Sequence, residues 1–134
     1  MKLLIATLLT VFSTGAMAEW TYLTSSEDNA YDIYIDKTTI RKRGNVAKMW
    51  YLTDYKSPQK EADGKSYSSE KVFAEYDCVE IRRRFLSTIY YSDNMGKGET
   101  VLSHQYSDRY GDREWQDVVP DTIGMTEWKV ACKK

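Results

Sequence analysis

The chain has 134 residues, with 19 basic and 20 acidic side chains, two cysteines and one histidine. That length supports one domain with a modest core. A formal charge of −1 argues against a general polyanion binder, which would be strongly basic, and one imidazole without a CxxC pair offers little to a zinc site.

At the N-terminus, Lys2 precedes an apolar run from Leu3 to about Phe12, and Ala16-Met17-Ala18 supplies small residues for a cut after Ala18. This is the three-part pattern of a secretory signal peptide. A membrane-spanning helix takes roughly 20 apolar residues, more than this run provides. Residues 1–18 are therefore expected to be a signal peptide and residues 19–134 the exported domain, with no transmembrane segment. A retained anchor helix is the alternative. Periplasm and cell exterior both stay open as destinations.

Short alternating segments then follow, separated by turn signals, as in an antiparallel sheet. Trp20–Thr24 reads as a first strand and Ser25–Asn29 as a turn. Tyr31, Ile33 and Ile35 alternate with Asp32, Tyr34 and Asp36 in a second strand. Thr38–Arg43 is a short strand or a turn, and Gly44-Asn45 is a tight-turn signal. Val46–Tyr55 is apolar on both faces, with Val46, Trp50 and Leu52 on one and Ala47, Met49, Tyr51 and Tyr55 on the other. Such a strand is central and covered on both sides. Lys56–Lys65 is expected to be a solvated loop, followed by strands at Tyr67–Cys78, Ile81–Ser92 and Thr100–Tyr106. Asp93–Gly98 reads as a turn. Beyond Pro120 the period changes. Asp121 or Thr122 can cap a short helix whose Met125, Trp128 and Cys132 share a face, though Gly124 weakens it. The fold class is α+β, an antiparallel sheet with a C-terminal helix packed on it.

The two cysteines, Cys78 and Cys132, allow one intramolecular pairing, and an even count in an exported domain implies a disulfide. Closing that loop stabilises by roughly 4 kcal/mol on chain entropy. Two free thiols or a metal pair are the alternatives.

Arg82-Arg83-Arg84 lies inside the fifth alternating segment. Strand periodicity puts Arg83 on the mainly apolar face with Val79, Ile81, Phe85, Ile89 and Tyr91. There it must be paired or reach water along its stem. Arg82 and Arg84 take the other face, with Tyr90 further along. Glu75 and Asp77 on the preceding strand can pair with them across the sheet. The competing functional reading is a basic surface of Arg82, Arg84 and Tyr90 for an anionic or glycoprotein ligand, which Arg41-Lys42-Arg43 would extend. A solvated turn is the alternative for the latter.

Catalytic patterns fail. Gly64-Lys65-Ser66 lacks the partner glycine of a phosphate loop, and Gly96-Lys97-Gly98 lacks a hydroxyl after its lysine. His104 has no GxSxG serine to serve and reads as a packed or surface histidine. Asp32 and Asp36 share a strand face but read as solvated carboxylates rather than an acid–base pair. No catalytic residue, metal site or cofactor is expected, and no nucleic-acid partner.

The order of landmarks resembles the surface-adhesin protein E family of Gram-negative bacteria. The matching pieces are Tyr34-Ile35-Asp36 with Ile40-Arg41, Val46–Tyr55 with Trp50 and Asp54-Tyr55, and Tyr67-Ser68-Ser69. They continue with Glu75-Tyr76-Asp77-Cys78, Arg82–Arg84, Tyr91-Ser92 through Gly98, Trp115 with Val119-Pro120, and the late Cys132. The resemblance implies about six antiparallel strands and a C-terminal helix tethered by Cys78–Cys132. It further implies a lipid-anchored adhesin for host matrix glycoproteins of the vitronectin and laminin type, able to form a homodimer. Here Glu19, not a lipid-accepting cysteine, follows Ala18, so a soluble periplasmic binding or inhibitor protein acting on an envelope component is the alternative.

Overall fold

Among the described residues, seven strands and one α-helix follow one another: β1 (Thr21–Ser25), β2 (Tyr31–Arg43), β3 (Val46–Lys60), β4 (Ser66–Asp77), β5 (Arg82–Tyr91), β6 (Thr100–Gln105), β7 (Gln116–Asp117) and α1 (Ile123–Cys132). The computed structural model describes residues 18–134, so the expected signal peptide, residues 1–18, lies outside the described part except for Ala18. β1 to β6 form one sheet in sequence order, each strand antiparallel to the last. The two-residue β7 pairs with the start of β5. The expected α+β architecture is present. No helix among the described residues is long and apolar enough to cross a membrane.

Two expected boundaries change. Thr38–Arg43 is neither a separate strand nor a turn but the second half of β2, which the Gly44 turn closes at a φ of +60°. The first half of the expected solvated loop at Lys56–Lys65 is strand, because β3 runs on to Lys60. Its pairing with β4 shifts between Asp54 and Gln59. Pro58 falls in that irregular stretch, where its missing N–H breaks no regular ladder.

The helix side of the sheet carries the main core. Ile33, Ile35, Ala47, Met49, Tyr51, Val72, Ala74 and Tyr76 pack there against Trp128, Ala131 and Cys132. Burying a side chain such as Ile35 contributes about 1.5–3 kcal/mol. Thr122 caps α1, its Oγ1 accepting the Met125 N–H at 3.2 Å. Trp128 donates its indole N–H to the Asp77 carbonyl at 2.9 Å. Cys78 and Cys132 form a disulfide with their Cα atoms 5.6 Å apart.

β3 is apolar on its other face for a second reason. Trp50 stacks on Phe73 with centroids 4.9 Å apart, and the Asn94–Gly96 turn folds back over Leu52. Asp54 Oδ1 accepts the Met95 N–H at 2.8 Å, while Ser69 Oγ accepts the Gly96 N–H at 2.9 Å and donates to the Asp93 carbonyl at 2.6 Å. Gly96 has a φ of +68°, and a Cβ there would lie 2.5 Å from the Lys71 side chain. Only glycine fits that approach without displacing the lysine.

Candidate functional site

The turn between β4 and β5 sets the arginines. Asp77 ends β4, and its Oδ1 accepts the N–H groups of Val79 and Glu80 at 3.0 and 2.9 Å. Its carboxyl is held below the usual carboxylate range by the Arg82 guanidinium and those backbone donors. The chain reverses through Ile81, at a φ of +53°, and β5 pairs back with Asp77 opposite Arg82, Tyr76 opposite Arg83 and Glu75 opposite Arg84.

Opposed residues of an antiparallel pair share a face, so the triad splits. Arg82 and Arg84 lie on the face away from α1. Arg82 Nη2 donates to Asp77 Oδ2 at 2.8 Å and Arg84 Nε to Glu75 Oε2 at 2.6 Å. The expected cross-strand ion pairs are there. Both guanidinium groups also lie over the Trp115 ring, 4.3 Å away for Arg84 and 5.3 Å for Arg82.

The register extends this pair into a surface. Arg41 opposes Lys48, Lys48 opposes Glu75, and Glu75 opposes Arg84. One strand step on, Arg43 opposes Val46, Val46 opposes Asp77, and Asp77 opposes Arg82. Two rows thus cross β2 to β5 on one face, with five cations against two carboxylates. Arg41, Arg43 and Lys48 make no ion pair among the described residues. With Val46 and Glu75 they line a groove of about 370 Å³. The second row continues to Asp117 of β7, opposite Arg82, so the surplus of positive charge is concentrated at Arg41, Arg43 and Lys48.

Arg83 turns the other way. Its Nη1 donates to Glu127 Oε2 of α1 at 2.8 Å, and the glutamate side chain is only 2% exposed. Burial pushes Glu127 up to about 7, against the opposing pull of the Arg83 charge. Tyr76 is close enough for its hydroxyl to be raised by the Glu127 charge as well as by burial, yet that hydroxyl lacks a hydrogen bond of standard geometry. The guanidinium passes over Gly124, where a Cβ would lie 2.9 Å from its Nη1. The glycine that weakens the helix is the space the arginine needs.

Tyr90 does not join Arg82 and Arg84. The β4–β5 register shifts between Phe73 and Ala74, so that Ala74 opposes Phe85 but Phe73 opposes Ser87. Leu86 is the extra residue of a bulge, and a bulge reverses the facing of everything after it. Tyr90 opposes Glu70 on the helix side. Its ring lies 4.6 Å from Tyr67, which meets Tyr55 at 5.7 Å, which meets Tyr31 at 5.8 Å. Burial pushes Glu70, beside these rings, up to about 7.

The remaining candidates are scattered. His104 is exposed on β6 and pairs with Asp112 at 2.8 Å. Asp32 binds Lys56 at 2.6 Å and Ser25 Oγ at the same distance, whereas Asp36 takes donors of its own around Thr38. They share a face but no proton route. No group of three or more His, Cys, Asp or Glu able to hold a metal occurs among the described residues.

The sheet order, the late helix and its disulfide agree with a family-level match: the model of surface-adhesin protein E matches residues 20–133. The chain belongs to the surface-adhesin protein E family. Solved structures of Haemophilus influenzae protein E share its fold. One is 15% identical with a TM-score of 0.58, covering 84% of this chain and 83% of that one. Another, from non-typeable Haemophilus influenzae, is 14% identical with a TM-score of 0.61, covering 90% of this chain and 79% of that one. No curated protein matches the chain significantly. Membership marks the chain as an adhesin-like protein.

Proposed function

We propose that this is an exported, non-enzymatic binding protein that holds a macromolecular glycoprotein of the host matrix. The partner's anionic groups would lie across Arg41, Arg43, Lys48, Arg82 and Arg84. The observation that carries this reading is the pair of cross-strand rows, whose cations outnumber their carboxylates on a face that the helix leaves open. Arg82 and Arg84 are anchored by their acids and by Trp115, so little side-chain freedom is lost on binding. Arg41, Arg43 and Lys48 supply the uncompensated charge. Tyr90 is no part of this surface.

Binding of the purified protein to immobilised vitronectin and laminin tests the reading. Affinity is expected to fall several-fold between low and physiological salt. Arg82→Glu with Arg84→Glu, or Arg41→Gln with Lys48→Gln, should weaken it at least tenfold. Lys129→Ala with Lys133→Ala, in the basic cluster near the end of α1, should leave it unchanged. Equal affinity in all three double variants would remove this face from the function.

A second reading rests on Glu19 following the expected cut where a lipid anchor would need a cysteine. It makes the chain a soluble periplasmic binding or inhibitor protein for an envelope component. Protease digestion in intact cells supports surface adhesion; digestion only after osmotic shock supports the periplasmic role.

A further inference from the structure

Asp36 is a carboxylate with 3% exposure on β2, at the start of the irregular stretch between Asp36 and Arg41. Its Oδ1 accepts the N–H of Thr38 at 3.0 Å and the Thr38 hydroxyl. Its Oδ2 accepts the backbone N–H of Glu19 at 3.3 Å. No cationic side chain among the described residues pairs with it. A buried carboxylate with neutral donors alone is costly. Asp36 lies in a cleft of about 260 Å³ walled by Trp20, Trp50 and Tyr91 and reached by Ala18. The other titratable groups lining it are Lys71 from β4 and Tyr91 from β5. Lys71 Nζ lies over the rings of Tyr91 and Trp20, at 4.8 and 5.8 Å from their centroids.

Among the described residues, the donor on Asp36 Oδ2 belongs to the residue that the sequence places directly after the signal-peptide cut. We propose that processing between Ala18 and Glu19 supplies the missing counter-ion. Hydrolysis of that bond by a signal-processing peptidase consumes one water. It leaves a carboxylate on Ala18, which departs with the leader, and converts the neutral Glu19 amide into an α-ammonium at the atom already facing Asp36. The new ammonium and the buried carboxylate form an ion pair that the precursor cannot make. That pair pins the chain entering β1 across β2 and beside the aromatic cleft. Removal of Ala18 opens the cleft at the same time. The proposal rests on the expected cut and is independent of the arginine face.

The test uses protein exported and processed in cells. Its first residue should be Glu19, and the pKa of its α-amino group should lie above the ordinary range of about 7.7–8.0. Labelling of that amine at pH 8 should run roughly fivefold slower than in Asp36→Asn. An extra alanine between Ala18 and Glu19 moves the ammonium one residue from Asp36. That variant should label at the ordinary rate and melt about 3 °C lower, which keeps the test sharp if Asp36→Asn folds poorly. A different first residue, or an ordinary α-amino pKa in the folded wild-type protein, would overturn the proposal.

Discussion

The two faces of the sheet treat neighbouring arginines in opposite ways. Arg83 points under α1, where it neutralises a glutamate with 2% side-chain exposure. Arg82 and Arg84, one residue either side, point to the other face, where their side chains are 36% and 22% exposed, pair with acids that are 13% and 11% exposed, and lie over Trp115. The helix side spends its charge on internal order, because an uncompensated ion there is costly. The open side tolerates a surplus of cations because solvent screens them. The same residue type is structural or available to a partner according to which way a strand position faces.

The largest effect should come from the helix side. Removing the disulfide by Cys78→Ser with Cys132→Ser frees the chain between them and should cost roughly 4 kcal/mol, seen as a large drop in Tm. Arg83→Ala leaves Glu127 without its counter-charge and should cost about 3 kcal/mol at pH 8. The loss should shrink at pH 5.5, where Glu127 is already protonated. Equal losses at both pH values would mean that Arg83 acts through packing alone.

pH separates the faces next. Glu127 and Glu70 are both raised to about 7 in the folded chain, from 4.5. Between those values the native state holds protons that the unfolded chain has released. Stability therefore falls as pH rises from about 4.5 to about 7, by an amount on the order of several kcal/mol. Denaturant titrations at pH 5 and pH 8 measure this slope, and Glu127→Gln should flatten much of it. A stability that rose across this window would contradict the buried, partly protonated glutamates.

The smallest stability effect belongs to the open face. Arg84→Gln should shift Tm by no more than about 2 °C while weakening ligand binding. A loss as large as that of Arg83→Ala would erase the distinction between the faces.

Much of the framework was legible in the residues. Alternation at Tyr31–Asp36 and an apolar run on both faces at Val46–Tyr55 marked strands, and the change of period after Pro120 marked the helix. Glu75 and Asp77 were identifiable as partners of the arginines because short turns fix nearby register. What escaped depended on non-local geometry. One inserted residue at Leu86 reversed the facing of Tyr90, and nothing in RRRFLSTIYY announces a bulge. Arg41 and Lys48 joined Arg84 only through three successive registers. Glu127 reads as a surface residue on polarity, although its place three residues after Gly124 and four before Ala131 puts it on the buried side of α1. β7 is too short to show a pattern.

The disulfide has a mechanical consequence. It joins the end of β4 to the last turn of α1 across a sequence separation of 54. Tension applied at the C-terminus is delivered at once to Cys78 and by-passes everything between. About 180 Å of extended chain, including β5 with Arg82 and Arg84, is locked out of the load path. If the open face holds a partner against shear, its two outer arginines ride on a closed covalent ring that a pull between the chain ends cannot unravel.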